Sequence, residues 1–186
     1  MNKTGSLSPL EALSGRDILL LGSTGFLAKV MLSMLLERFS ARRIYCLVRP
    51  TKSLSADDRF RDEVLGSEMM APLRRRFGTS FDALVAHQVE VLAGDLSSET
   101  LGLDEATLTR LRTDLDLVIN SAGLVSFNPQ LDQALESNAV GAELVARFTR
   151  ACDHAKLVHI STCFVAGARS GRFLEHAVSL ARDAGY

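Results

Sequence analysis

The stretch Ile18-Leu19-Leu20-Leu21-Gly22-Ser23-Thr24-Gly25-Phe26-Leu27-Ala28 joins an apolar run to a glycine turn, and a helical pattern follows from Lys29. Gly22 permits a tight exit from a strand, and Gly25 has no Cβ to obstruct a pyrophosphate. The first N–H groups of the following helix favour anionic ligands. The stretch therefore predicts a dinucleotide site whose phosphates contact Gly22, Ser23, Thr24, Gly25, Phe26 and Leu27.

Composition is that of a globular domain and excludes several classes of protein. The chain has 186 residues, of which 47% are hydrophobic, enough for one sizeable core. Its net charge of −1 gives no reason to expect nucleic acid or an anionic membrane as a partner. The three cysteines lack metal-ligand spacing. Neither a signal peptide nor an apolar run of about 18 residues is present, so we expect a cytoplasmic protein without a transmembrane segment.

Short apolar runs alternate with helical patterns along the chain. This alternation predicts an α/β fold, a doubly wound parallel sheet of the Rossmann type with right-handed crossovers. Residues 1–14 form a polar leader, 15–167 the nucleotide-binding domain with a charged helical insert at 51–87, and 168–186 a tail. The predicted strands are 17–21, 44–48, 89–92, 115–120 and 156–161, and the predicted helices are 28–39, 104–112 and 129–152.

The end of the second predicted strand indicates which cofactor binds. An NAD site places Asp or Glu about 20 residues beyond the glycine turn, where it bonds the ribose 2′-hydroxyl. Here Arg49 takes that place, Lys52 is close by, and no carboxylate comes before Asp57. A guanidinium pairs with a 2′-phosphate through two hydrogen bonds. We therefore expect NADPH; the alternative is that Arg49 is only a solvated strand end.

Two further turns follow predicted strands. Asp95 and Leu96 would offer a carboxylate to the adenine amine and an apolar surface to the ring, although an Asp after Gly is also a common turn residue. Ser121 and Ala122 follow Asn120, where small residues let the backbone approach the cofactor ribose. An ordinary glycine turn would have the same composition.

The order of these motifs resembles that of extended short-chain dehydrogenases/reductases. Within that superfamily the chain is most similar to the fatty acyl-CoA reductases of the male-sterility type, over about residues 14–175. The motifs that carry the resemblance are residues 22–28, 93–96 (Ala-Gly-Asp-Leu), 118–122 (Val-Ile-Asn-Ser-Ala), 138–141 (Asn-Ala-Val-Gly) and 159–165 (His-Ile-Ser-Thr-Cys-Phe-Val).

The resemblance implies roles for particular residues. Thr162 matches the catalytic Ser/Thr, whose hydroxyl bonds the reacting carbonyl oxygen. Asn138 matches an asparagine that braces neighbouring strands. We interpret His159 as a packing residue of the fifth strand, and the run 74–76 (Arg-Arg-Arg) as a solvated helix face rather than a site for CoA phosphates.

One departure from the family is severe. Its Tyr-x-x-x-Lys pair, which supplies a proton and anchors the nicotinamide ribose, does not occur after Thr162, and Tyr186 is the last residue. We expect the chain to hold the cofactor half of an enzyme, without the C-terminal strands and substrate region, and to be inactive in a reductase assay. The fifth strand would then be an exposed apolar edge through which the chain self-associates, as a homo-oligomer or an aggregate.

The function implied is NADPH-dependent reduction of a fatty acyl thioester, such as acyl-CoA, to aldehyde or alcohol in lipid metabolism. One alternative is the thioester reductase domain of a carboxylic acid reductase or peptide synthetase, which is similar at residues 101–104 (Leu-Gly-Leu-Asp). Another is a non-catalytic NADP(H)-binding sensor, in which a missing Tyr/Lys pair would be natural.

Overall fold

Five parallel strands form one sheet in the order β3-β2-β1-β4-β5. The computed structural model describes residues 8–126, 128–162 and 170–172. Because β1 lies between β2 and β4, the chain order reverses beside β1, as in a doubly wound sheet. The predicted fold class is confirmed. The strands are β1 Asp17–Leu21, β2 Arg43–Val48, β3 Val89–Ala93, β4 Leu117–Asn120 and β5 Lys156–His159.

Helices precede, connect and cover the strands. The predicted insert after β2 is helical, with a π-helical segment at Phe60–Leu65 and short 3₁₀ turns at Glu68–Met70 and Gly78–Ser80. Within the described part of the chain, no helix is both long and apolar enough to cross a membrane. The α-helices are α1 Pro9–Leu13, α2 Phe26–Arg38, α3 Ala56–Arg59, α4 Ala71–Phe77, α5 Phe81–Gln88, α6 Glu105–Asp114, α7 Leu131–Leu135 and α8 Gly141–Arg150.

The two faces of the sheet carry separate cores. Alternate residues of β1 point to opposite faces, so Ile18 and Leu20 join one core while Leu19 and Leu21 join the other. Helix α2 and the insert cover the first core, and α6 and α8 cover the second. Every β1 side chain is buried, as expected for a central parallel strand. Strand β1 is therefore a rigid support for the glycine turn that follows it.

Cys46 of β2 is fully buried, and burial raises the pKa of its thiol to about 12. It therefore acts as a small apolar core residue, as the sequence predicts.

The structure differs from the predicted elements at four points. The leader contains α1, whose N-cap Ser8 accepts a hydrogen bond from the Glu11 N–H. The long predicted helix begins at Leu131 because Gln130 is extended, so Pro129 precedes its first turn. That helix also contains a π-helical segment, Glu136–Val140, between α7 and α8. Finally, β5 ends at His159 rather than at residue 161.

Candidate functional site

A cavity of about 550 Å³ opens at the carboxyl ends of β1, β2, β3 and β4. Ligands of doubly wound sheets bind at this edge, where the strand order reverses. The loops after these strands form most of the wall, and the α7 region closes one side. The predicted residues in the wall are Gly22, Thr24, Gly25, Arg49, Asp95, Leu96, Ser121 and Ala122.

The glycine turn has the geometry that a phosphate requires. Gly22 adopts φ +81°, and a Cβ there would lie 2.7 Å from the Ala122 backbone nitrogen. The Gly25 N–H donates to the Gly22 carbonyl at 2.8 Å, which closes the turn. Gly25 is also the N-cap of α2 and has no side chain to occupy the first N–H groups of that helix. Those groups follow Gly25, which lines the cavity, and they favour an anion bound beside it.

Four of the predicted cofactor residues lie outside the wall of this cavity, as far as the structure describes the chain: Ser23, Phe26, Leu27 and Lys52. Ser23 is buried, and its hydroxyl donates to the Leu47 carbonyl of β2 at 3.3 Å. It therefore fixes the turn to the neighbouring strand. The other three side chains are exposed, Phe26 by 71%.

Two guanidinium groups line the cavity beside the end of β2. Arg49 Nη1 lies 3.8 Å from Asp95 Oδ2. Arg59, which the sequence did not predict as a site residue, donates from Nη1 to the Arg49 carbonyl at 2.8 Å and from Nε to Glu63 Oε1 at 2.7 Å. Its side chain is only 20% exposed and is therefore held in place. One signal in the sequence could have indicated Arg59 as a site residue: it is a cation ten residues after Arg49, on the first helix of the insert.

Asp95 and Leu96 follow β3 and lie in the cavity wall. The Asp95 N–H donates to the Leu101 carbonyl at 2.8 Å, and Ser97 donates to Asp95 Oδ1 from its N–H and its hydroxyl. A Cβ on Gly94 would lie 2.4 Å from the same Leu101 carbonyl. Asp95 is thus both a turn residue and a wall residue, with Oδ2 facing Arg49.

The turn after β4 is tied to β1 and to the α7 region. Ser121 donates to the Leu21 carbonyl from its hydroxyl at 2.9 Å and from its N–H at 3.2 Å. Asn138, in the π-helical segment, accepts from the Leu124 N–H at 2.7 Å and donates to the Leu124 carbonyl at 3.0 Å. Asn138 therefore braces this loop, whereas the resemblance implied that it braces strands.

His159 is exposed, so the expectation that it packs in the core is wrong; its Nδ1 has a polar partner, Asn120 Nδ2, at 3.2 Å. Thr162 is exposed and lies two residues beyond Ile160, whose N–H donates to the Asn120 carbonyl at 2.8 Å. The structure does not place Thr162 in the described cavity wall. Residues 163–165 of the motif, and Tyr186, lie outside the described residues.

The arginine run 74–76 belongs to the opposite end of the sheet. Arg76 pairs with Glu37 in the last turn of α2 at 2.8 Å, and Arg74 donates to the Leu65 and Ser67 carbonyls. Helix α2 begins at the cavity and runs away from it. These arginines therefore contribute nothing to the cavity.

The sequence of this chain is similar to those of a known protein family and of several named proteins. The sequence profile of an NAD-binding family described as "male sterility protein" matches residues 20–184. The alcohol-forming fatty acyl-CoA reductase of Simmondsia chinensis is 34% identical over 178 residues, which are 94% of this chain and 36% of that protein. Fatty acyl-CoA reductase 2, chloroplastic, of Arabidopsis thaliana is 31% identical over 94% of this chain and 29% of that protein.

The fold of this chain is also similar to that of a solved reductase domain. The reductase domain of a nonribosomal peptide synthetase from Mycobacterium tuberculosis has a TM-score of 0.64 and 31% identity, over 82% of this chain and 34% of that one. The chain thus spans about a third of the length of the relatives it matches.

Proposed function

The chain belongs to the male sterility protein family, and on that basis we propose that it forms the cofactor-binding part of an NADPH-dependent reductase of acyl thioesters such as acyl-CoA. The observation that carries the proposal is the pairing of an uncapped glycine turn with two arginines across one cavity. The similar proteins named as fatty acyl-CoA reductases support the substrate class.

The charges in the cavity favour NADPH over NADH. Arg49 and Arg59 present two guanidinium groups at the end of β2, the place where an NAD site carries a carboxylate. A 2′-phosphate there would replace the long Arg49–Asp95 contact with charge-assisted hydrogen bonds. The adenine would then meet an apolar surface formed by Leu47 and Leu96 and a hydrogen-bond acceptor on Asp95.

The remaining residues act around the reacting carbonyl. When bound, NADPH supplies the hydride that reduces a thioester carbonyl. We assign to the Thr162 hydroxyl a hydrogen bond to the carbonyl oxygen, which stabilises the negative charge that develops there. Asn138 holds the Leu124 backbone, and Ser121 holds the turn after β4 to β1, so that this part of the cavity wall would keep its shape when the cofactor binds.

A second source of thioester is a carrier protein. The likeness to a synthetase reductase domain favours it, and so does the resemblance of residues 101–104 to such domains. The same cofactor site would serve either source.

Titration of NADPH and NADH against the wild type and three single variants tests the proposal. We expect Arg49→Ala and Arg59→Ala each to weaken NADPH binding about tenfold, the loss of a charge-assisted bond, and to leave NADH binding unchanged. Arg75→Ala is the matched control, because Arg75 is exposed on α4 at the opposite end of the sheet. Circular dichroism confirms that each variant is folded.

The contrary outcome is an unchanged preference between the two cofactors in both cavity variants. That result would exclude recognition of the 2′-phosphate by this pair of arginines.

A further inference from the structure

Asn120 is a polar side chain at the end of β4 that is only 2% exposed. In the parallel register it lies opposite His159, the last residue of β5. A buried amide must satisfy both its donor and its acceptor, so its partners are informative.

The partners of the Asn120 amide determine its orientation. The Ala122 backbone N–H is a donor only, and it lies 3.0 Å from Oδ1, which must therefore accept. The amide nitrogen Nδ2 then faces His159 Nδ1 at 3.2 Å. Because Nδ2 carries only hydrogens, Nδ1 must be the acceptor. In this geometry the proton of the neutral imidazole lies on Nε2.

These two bonds link the cavity wall to β5. Ala122 lies in the cavity wall, and its nitrogen is the atom closest to the space where a Cβ on Gly22 would be. His159 ends the strand that leads to Thr162, and the next residue, Ile160, donates to the Asn120 carbonyl. Asn120 therefore contacts the turn beside the glycine loop through one end of its amide and β5 through the other.

We propose that Asn120 and His159 are a positioning pair, in which the Nδ1 acceptor of His159 orients the Asn120 amide and so fixes the Ala122 backbone beside the glycine turn. His159 does not touch the cofactor in this role. The effect of the pair on cofactor binding rests on the proposed function, whereas its effects on the tautomer and on Ala122 do not.

Three substitutions separate this role from general packing. His159→Asn keeps an acceptor, because its Oδ1 replaces Nδ1 at the same distance from the backbone. His159→Leu removes the acceptor and leaves Asn120 Nδ2 unpaired. His154→Leu removes another exposed histidine, which lies near Asp116 at the other end of the sheet.

The first readout needs no cofactor. Nitrogen NMR of the imidazole at pH 8 is expected to show the proton of His159 on Nε2. Hydrogen exchange of the Ala122 backbone N–H is expected to be about tenfold faster in His159→Leu than in the wild type. The reason is that Asn120 Oδ1, which accepts from this N–H, is no longer held in orientation. Exchange in His159→Asn and His154→Leu should match the wild type.

The second readout is NADPH affinity. We expect His159→Leu to weaken binding about fivefold to tenfold and His159→Asn to restore it to within about twofold. A proton on Nδ1 in the wild type, or equal Ala122 exchange in the Leu and Asn variants, would overturn the positioning pair. If the wild type itself fails to bind NADPH, the proposed function is wrong, and the cofactor-free readout still decides the pair.

Discussion

Gly22 lines the cavity, and its surroundings differ from those of Gly15, which does not. Gly22 and Gly15 both have positive φ, at +81° and +68°. A Cβ on Gly22 would lie within 3.0 Å of three backbone atoms of the turn after β4, whereas a Cβ on Gly15 meets nothing within 4 Å. The sequence predicted the turn at Gly22 but had no means of showing that its closest neighbour is Ala122, a hundred residues later.

This difference predicts unequal costs for the same substitution. Gly15→Ala should lower the free energy of unfolding by about 1–2 kcal/mol, the cost of a left-handed alanine. Gly22→Ala adds the displacement of a backbone segment and should cost at least about 3 kcal/mol. It should also abolish NADPH binding, which Gly15→Ala should retain. Urea denaturation and cofactor titration measure both effects, and equal costs would contradict the close approach at Gly22.

Some of the predicted cofactor residues lie in the cavity wall and others do not. Arg49, Asp95 and Ser121 directly follow strands, so the strand pattern brings them to one edge. Ser23 is also polar and follows a strand, but its hydroxyl turns inward to the Leu47 carbonyl. Arg59 reaches the cavity from within the insert. The contact of the turn with β2 decides the position of Ser23, and the packing of the insert against the sheet decides that of Arg59.

At the scale of elements, strands were predicted better than helices. Strands β1 and β2 are apolar runs buried on both faces, which is a strong signal. The region from α7 through the π-helical segment has no buried residue, so no apolar spacing fixes its helical register. The sequence pattern therefore did not distinguish the π-helical segment from a continuous α-helix, which is what it predicted. The π-helical segment nevertheless carries Asn138, which clamps Leu124.

The N-terminus of α6 gives a test at this scale. Asp104 caps the helix, and its hydrogen bonds from the Thr107 N–H and hydroxyl hold the pKa of its carboxyl below the ordinary value. The stability from this bonding is complete above the ordinary pKa and is lost as pH falls through the lowered one.

We therefore expect Asp104→Ala to lower Tm at pH 7 by more than at about pH 3. Asp104→Asn, which keeps a capping oxygen, should stay close to the wild type at pH 7. Thermal unfolding followed by circular dichroism measures both. A deficit of Asp104→Ala that does not change with pH would exclude the charged cap.

At the scale of the whole molecule, β5 forms one edge of the sheet and pairs with β4 alone among the described strands. Val158 is 46% exposed on this edge, and exposed apolar edges promote pairing between chains. The prediction that the chain self-associates through β5 follows from this exposure.

A charge at this position should oppose such association. We expect Val158→Lys to shift the chain toward monomer in sedimentation velocity at high concentration. Leu10→Lys is the control, since Leu10 is 54% exposed on α1, away from the edge. If the wild type sediments as a clean monomer, or if both variants shift equally, β5 is not the associating surface.

The position of β1 between β2 and β4 has a consequence for how the protein matures. The bond from Ser121 to the Leu21 carbonyl spans a hundred residues, so the wall beside the glycine turn does not exist until β4 has been synthesised and has paired with β1. Such distant pairing is intrinsically slow. A cofactor recognises only the completed sheet, and at a hundred times its Kd it adds about 2.7 kcal/mol to stability. A nicotinamide cofactor would therefore stabilise only chains whose sheet is complete, and its depletion would raise the fraction of those chains that unfold.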